Sequence, residues 1–180
     1  MSIQAKLIIA LIIVLSVPLF LIKGTYNSLS DLKQRADLGW SRVNSQLMRR
    51  GELVPELMPT LQEHLQQEPE VVDGLDRAYA ELRRAQTEQQ TILANEELTH
   101  AISRLLNVAK NYRNLLADQN FLRLIDEIEG AQNRFIMERI RYNKRVNEYN
   151  ESLERSPTRL VAGWLGFSPA IPYNVLESES

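Results

Sequence analysis

The sequence predicts an all-α protein in which an N-terminal transmembrane helix is followed by an antiparallel four-helix bundle of long helices. Residues 7–22 are apolar except for Ser16. Behind them, apolar residues recur every three or four positions, which is the spacing of an amphipathic helix. Only seven glycines and seven prolines interrupt the 180 residues, a composition that favours long helices over strands.

Charge and composition exclude several classes of function. The 21 basic and 23 acidic residues leave a net charge of −2, so the positive field that attracts nucleic acid is missing. The absence of cysteine rules out disulfides, thiolate metal sites and cysteine nucleophiles. We expect a membrane anchor with a short N-terminal tail at 1–23, one helical-bundle domain at 24–155, and a C-terminal tail at 156–180 that is apolar at 160–167.

The apolar segment from Leu7 to Ile22 is bordered by Lys6 and Lys23. As a helix it would span about 24 Å, slightly less than a hydrocarbon core of about 30 Å, and snorkelling lysine side chains can supply the remainder. A cleaved signal peptide is the alternative, but the small residues that cleavage needs do not follow the run. We therefore expect a retained anchor in a lipid bilayer. Basic residues behind the anchor outnumber the one before it, which favours a cytoplasmic domain by a narrow margin.

The region behind the anchor divides into helical stretches. The first carries an apolar stripe at 29–47 and is expected to close at 49–51, and the second is expected at 53–67. Residues 70–116 fit either one helix or two packed segments. We favour two, with the break near Asn95.

The last helix has the clearest pattern, with apolar residues at three- and four-residue spacing over 121–153. About 34 residues give a rod of roughly 50 Å. Asp118 or Asn120 is expected to cap its start and Pro157 to close it. Its outer face alternates in charge and is expected to be a solvated ladder of ion pairs. That face consists of Arg134, Glu138, Arg141, Arg145 and Glu148.

One charged residue breaks the apolar stripe of this helix. Arg139 lies between Phe135 and Tyr142, with Asn143 and Asn150 on the same face. A buried guanidinium needs a carboxylate or several carbonyl oxygens. One hypothesis is that Arg139 pairs with an acidic residue of another helix and fixes the register of the bundle. The alternative is that Arg139 lies at the edge of the bundle and snorkels to water.

The C-terminal tail combines apolar and basic residues. In an antiparallel bundle the last helix returns towards the membrane, which would place Trp164 and Phe167 near the lipid headgroups. Arg155 and Arg159 would then face anionic lipid. The alternative is that the aromatic residues cap the bundle's own core.

No catalytic residue, cofactor site or metal site is predicted. Glu97 and His100 form a Glu-x-x-His step, which supplies two ligands in di-iron helical bundles, but such a site needs a second copy. The other histidine, His64, follows Glu63 directly. A metal-dependent enzyme that uses Glu97 and His100 remains the alternative to a protein without catalytic activity.

An ordered set of residues covers most of the chain behind the anchor and resembles the LemA family of bacterial membrane proteins. These residues are Tyr26, Asn27, Leu29, Trp40, Ser41, Val43, Gln46, Leu47, Arg49, Arg50, Leu53, Pro55, Leu57, Glu97, Leu98, Arg104, Leu105, Leu106, Asn120, Phe121, Leu124, Asn133, Arg134, Arg139, Tyr142, Asn143, Val146, Tyr149, Asn150, Gly166, Phe167 and Tyr173. The sequence departs from the family pattern at Gly39, where alanine is usual, and at Asn174, where an aromatic residue is common.

The resemblance implies a four-helix bundle behind one helix in the bacterial cytoplasmic (inner) membrane. Some LemA-like proteins carry a lipoprotein cysteine that would place the domain outside the cytoplasm, so the side of the membrane stays open. The family has no established common enzymatic activity, and one branch is linked to internal membranes in magnetic bacteria. We expect a non-catalytic scaffold or accessory protein that binds an envelope or membrane protein, or itself as a homo-oligomer. A membrane-remodelling protein is a further alternative.

Overall fold

The computed structural model describes residues 3–156 and 158–174, with side chains from residue 22 onward. These residues form helices and no strand, which confirms the all-α class. The helices are α1 (Ile3–His64), α2 (Pro69–Arg84), α3 (Glu88–Ala109), α4 (Arg113–Ala117), α5 (Gln119–Glu154) and α6 (Thr158–Val161).

Helix α1 runs without interruption through residues 49–51, so the expected end of a helix at this point was wrong. Its buried positions include a series at seven-residue spacing that continues through the supposed break. The series is Leu29, Ala36, Val43, Arg50 and Leu57. A charged residue within an otherwise apolar series therefore looked like a terminus in the sequence, although it belongs to the buried face of one long helix.

Gly51 allows close packing of helices instead of breaking α1. A Cβ atom at Gly51 would lie 2.9 Å from Cδ2 of Leu82 on α2, closer than real Cβ contacts allow. Leu82 itself is fully buried, so it has little room to move. The glycine is thus explained by the approach of α2 to α1 at this point.

Residues 70–116, expected to form two helices with a break near Asn95, contain α2, α3 and most of the short α4, and the breaks lie at 85–87 and 110–112. Thr87 caps α3, because the backbone N–H of Gln90 donates to Thr87 Oγ1 at 3.1 Å and the N–H of Thr87 donates to Gln90 Oε1 at 3.2 Å. This capping box is readable as Thr-x-x-Gln in the sequence. Asn95 instead lies inside α3 and is buried.

Helix α5 has 36 residues and is capped by Asp118, one of the two expected residues. Asp118 Oδ1 accepts a hydrogen bond of 2.8 Å from the backbone N–H of Phe121. This bond lowers the pKa of the Asp118 carboxyl. Pro157, expected to close the helix, lies outside the described residues.

The chain forms two compact units. The terminal unit comprises Met1–Gly39 and Tyr142–Pro172, and the central unit comprises Trp40–Arg141 and Tyr173–Ser180. In the terminal unit, α1 and α5 share a core with residues that follow α6, and its buried members are Leu29, Tyr149, Leu153 and Ala162. In the central unit, one apolar core takes residues from α1, α2, α3, α4 and α5, among them Leu57, Leu75, Leu98, Leu115 and Leu124.

Among the described residues, no helix has an apolar stretch long enough to cross a membrane. The anchor predicted at 1–23 falls almost entirely on residues 1–21, whose side chains lie outside the described part of the chain. The backbone of α1 is helical from Ile3 onward.

Candidate functional site

Arg50 is a buried cation in the central unit, with only 2% of its surface exposed. Its Nη2 donates to Asn95 Oδ1 at 2.7 Å, to the carbonyl of Asn95 at 3.2 Å and to Thr99 Oγ1 at 2.8 Å. Its Nη1 donates to Gln132 Oε1. The guanidinium therefore joins α1 to α3 and α5 through three polar side chains.

The hydrogen-bond partners of Arg50 are all uncharged oxygens. Burial consequently lowers the pKa of Arg50 to about 10, because the charge is not compensated by a bonded carboxylate. One donor of the guanidinium, Nε, is buried without a partner among the described residues. A buried group of this kind destabilises the fold if any of its partners is lost.

Tyr173 occupies the other side of this network. Its hydroxyl accepts a hydrogen bond of 2.8 Å from Asn95 Nδ2, and only 2% of its surface is exposed. Its ring lies 5.3 Å from that of Phe135 and 6.4 Å from that of Trp40. Burial raises the pKa of the Tyr173 phenol. A residue expected in the C-terminal tail is thus part of the core of the central unit.

Arg139, for which an ion pair with another helix and a position at the edge of the bundle were both considered, lies over aromatic rings. Its Cζ is 5.8 Å from the ring centre of Phe135 and 5.9 Å from that of Tyr173. The side chain is half-buried, and among the described residues no carboxylate lies within ion-pair distance of it. The guanidinium is stabilised by the negative faces of two rings, a solution that neither hypothesis considered.

Three side chains of α5 bind the backbone of the segment 168–171 in the terminal unit. Tyr149 Oη donates to the carbonyl of Ser168 at 2.8 Å, and Tyr142 Oη donates to that of Ile171 at 2.7 Å. Asn150 makes two bonds to Ala170, one from its Nδ2 to the carbonyl and one from the Ala170 N–H to its Oδ1, both 2.9 Å long. Asn150 is half-buried, and it satisfies the backbone of this segment.

Asn143 is also half-buried on α5, on the face where a polar residue was predicted within the stripe. The two asparagines therefore lie beside the fully buried residues of α5, not among them. Fully buried neighbours on α5 are Tyr142, Val146 and Tyr149.

The four residues predicted to contact the membrane have different environments. Phe167 packs into the core of the terminal unit, with its ring 5.6 Å from that of Tyr26, whereas Trp164 is 96% exposed. Arg155 is exposed and pairs with Glu151 at 3.1 Å, and Arg159 is exposed. The prediction that aromatic residues cap the core thus describes Phe167 but not Trp164.

Glu97 and His100 both lie on the exposed side of α3. Within the described residues, no group of three side chains is arranged to hold a metal ion. Glu97 instead lines a groove of about 420 Å³ between α2 and α3. Apolar and charged side chains share this groove, namely Ala85, Leu93, Ala94, Glu81, Arg84 and Glu97.

Sequence reasoning missed the role of Arg50 and Asn95. The signal was present, since Arg50 continues the buried spacing from Leu47 to Val54 by steps of three and four. Asn95 stands four residues after Thr91 and three before Leu98, both of which are buried. Polar residues at apolar positions in two helices are candidates for one shared network.

Comparison with known proteins identifies a family for this chain but no individual relative. A model of the LemA family matches residues 39–180. None of the curated proteins compared with the chain matches it. The matched range contains Arg50, Asn95 and Tyr173 of the central unit and Asn150 of the terminal unit, whose hydrogen bonds are described above. The chain therefore belongs to the LemA family.

Proposed function

We propose that this chain is a membrane-anchored, non-catalytic scaffold or accessory protein of the bacterial cell envelope, which binds a membrane protein partner or a second copy of itself. Residues 7–22 are the proposed anchor, inserted in the cytoplasmic (inner) membrane. The uninterrupted backbone of α1 supports this proposal, because it connects the apolar segment to the folded units without a loop. Shared burial among the four longer helices α1, α2, α3 and α5, which the short α4 joins, supports the four-helix bundle in the central unit.

The single observation that carries the binding function is the groove between α2 and α3. Leu93 is 46% exposed there, beside Ala85 and Ala94. The charges around it, Glu81 and Arg84, are also exposed. An apolar floor with charged residues around it is typical of a surface that binds another protein.

In-cell photo-crosslinking of the full-length protein tests this function. A photo-reactive residue at Gln89, which is exposed close to the groove, is compared with one at Gln62, which is exposed on α1. A discrete foreign membrane protein captured from Gln89, and lost in Leu93→Glu, supports the scaffold. Only self-crosslinks from Gln89 support a homo-oligomer instead.

Two results would count against the proposal. Equal, diffuse crosslinking from Gln89 and Gln62 would mean that the groove has no specific partner. Stoichiometric iron or manganese in the purified protein, lost in His100→Ala, would favour the metal-dependent enzyme over the scaffold. The metal measurement is independent of the crosslinking, because His100, the residue substituted in it, does not line the groove.

A further inference from the structure

The helical turn that starts with α6 continues beyond Val161. The backbone N–H of Ala162 donates to the carbonyl of Thr158 at 2.9 Å. The N–H of Leu165 then donates to the carbonyl of Val161 at 3.0 Å. Hydrogen-bonded turns thus continue from α6 to residue 165, and we call residues 158–167 the C-terminal turn.

The C-terminal turn ends in a Schellman motif. Gly166 adopts a φ of 81°, in the left-handed region that favours glycine. The N–H of Phe167 donates to the carbonyl of Ala162 at 3.0 Å, and the N–H of Gly166 donates to that of Gly163 at 3.2 Å. Packing of Phe167 and Ala162 in the core of the terminal unit accompanies these bonds. The backbone of the turn is therefore held in place before any ligand binds.

The C-terminal turn presents apolar residues on two opposite sides. Ala162 faces the core of the terminal unit and is 5% exposed. Leu160 and Trp164, four residues apart and hence on one helical side, are 75% and 96% exposed. An indole so fully exposed on an ordered turn gives no stability to the fold around it. The exposed pair Leu160 and Trp164 is available to an external apolar partner.

The position of the turn on α1 identifies that partner. Tyr26, whose ring lies 5.6 Å from that of Phe167, follows Ile22 by four residues. This step is about 6 Å along a helix axis. Ile22 is the last residue of the apolar segment, so the C-terminal turn packs beside α1 within about one helical turn of the end of the proposed anchor.

Basic residues occur on both parts of this region, Lys23 directly after Ile22 and Arg159 within the C-terminal turn. Lys23 and Arg159 are exposed, and Arg159 forms no ion pair among the described residues. Arg155 pairs with Glu151, but both side chains are largely exposed and such pairs are weak. Cations beside an exposed tryptophan match the headgroup region of an anionic bilayer, where phosphate and apolar surface meet.

We propose that the C-terminal turn is a second membrane contact. Leu160 and Trp164 enter the headgroup region of an anionic bilayer, and Lys23 and Arg159 bind the lipid phosphates. This inference rests on the proposed anchor at residues 7–22, because the bilayer is placed by the end of that segment. The protein then holds the membrane at two points, one through the bilayer and one on its surface.

Site-directed spin labelling in nanodiscs tests the contact, and the cysteine-free chain makes every label unique. Gly163→Cys places a nitroxide between Leu160 and Trp164 and leaves both intact, since a Cβ at Gly163 meets nothing within 4 Å. Gly74→Cys on α2, equally open for a Cβ, is the matched control. Collisions with a water-soluble nickel complex and with oxygen, which partitions into lipid, report the environment of each label.

In nanodiscs that contain phosphatidylglycerol, we expect a severalfold loss of nickel collisions at position 163 relative to position 74. The double substitution Leu160→Ser and Trp164→Ser should restore the nickel collisions at 163. Nickel collisions as frequent at 163 as at 74 would overturn the proposal. Equal protection in discs of phosphatidylcholine alone would overturn the role of Lys23 and Arg159.

A third label separates failure of this contact from failure of the anchor. Ile13→Cys lies in the middle of the apolar segment. Suppose that the label at position 13 collides often with oxygen and rarely with the nickel complex, while the label at 163 is exposed to water. This result would refute the second contact and retain the anchor. A nickel-accessible label at position 13 would refute the anchor itself.

Discussion

Asn95 Nδ2 donates a hydrogen bond of 2.8 Å to the hydroxyl of Tyr173, a residue 78 positions further along the chain. The same amide accepts a hydrogen bond of 2.7 Å from Arg50 through Oδ1. One asparagine side chain thus satisfies a buried cation and a buried phenol at once. Removal of any of the three residues leaves a buried polar group without its partner, which is the costly outcome inside a protein.

Arg50→Lys should destabilise the protein by about 2–3 kcal/mol. A lysine ammonium lacks the planar fork with which Arg50 reaches Asn95, Thr99 and Gln132, so buried oxygens lose their donor. Arg49→Lys is the matched control, because Arg49 is the exposed neighbour of Arg50. Thermal unfolding of the full chain in detergent measures both, and equal melting temperatures would show that the network adds nothing.

Tyr173→Phe should cost about 1 kcal/mol at neutral pH through loss of the bond from Asn95. The variant should also change the response to alkali. Burial raises the pKa of Tyr173 above its usual value of 10.0, so the fold favours the neutral phenol. This contribution to stability is complete below about pH 10 and is lost as the pH rises through the raised pKa.

Unfolding free energy measured from pH 9 upward should therefore fall more steeply in the wild type than in Tyr173→Phe. Arg50 acts in the opposite direction, because its pKa is lowered to about 10, and since Tyr173 raises that pKa, the loss of Tyr173 increases the expected difference between the two curves. Parallel curves for the two proteins would mean that Tyr173 titrates without coupling to folding.

Asn150→Ala should destabilise the terminal unit by about 1–3 kcal/mol. The substitution removes both hydrogen bonds to Ala170 and leaves its backbone groups without partners. Faster amide hydrogen exchange over 168–171 should accompany the loss. Asn147→Ala, at an exposed position of α5, serves as the control and should leave exchange unchanged. Unchanged exchange in Asn150→Ala would contradict the role given to this side chain.

Two glycines inside helices should respond with opposite signs to added side chains. Gly51→Val should destabilise by about 1–3 kcal/mol, because the side chain would overlap buried Leu82. Gly74→Ala should stabilise by up to about 1 kcal/mol, because a Cβ there meets nothing within 4 Å and alanine favours helix. Chemical denaturation compares the two, and a neutral Gly51→Val would show that α1 and α2 can separate at this point.

Periodicity was sufficient to predict the helical class and the course of α5, because its apolar stripe has few exceptions. It failed at residues whose role depends on contacts with residues far away in the sequence. Gly51 appeared to end a helix, but its role depends on Leu82 of another helix, which no local pattern contains. Asn95 appeared to break a helix for the same reason, since its partners Arg50 and Tyr173 are distant in the sequence.

Arg139 shows a second limit of the sequence. Its place in the stripe was readable, but its neighbours were not, because the ring of Tyr173 comes from beyond the last long helix. A charged residue in a stripe indicates that a partner exists. The chemistry of that partner follows only from tertiary structure.

The heptad spacing of α1 leaves several sliding alternatives close in hydrophobic energy, since Val43, Arg50 and Leu57 occupy equivalent positions along it. A shift by one heptad would bring Val43 or Leu57 to Asn95, Thr99 and Gln132, and would move the guanidinium to the buried position that Leu57 or Val43 now occupies. Each shifted register of α1 loses all the charge-assisted hydrogen bonds of Arg50 together. The uncompensated charge in the core thus acts against misfolded states, and it widens the energy gap that lets a repetitive helical sequence settle on one structure.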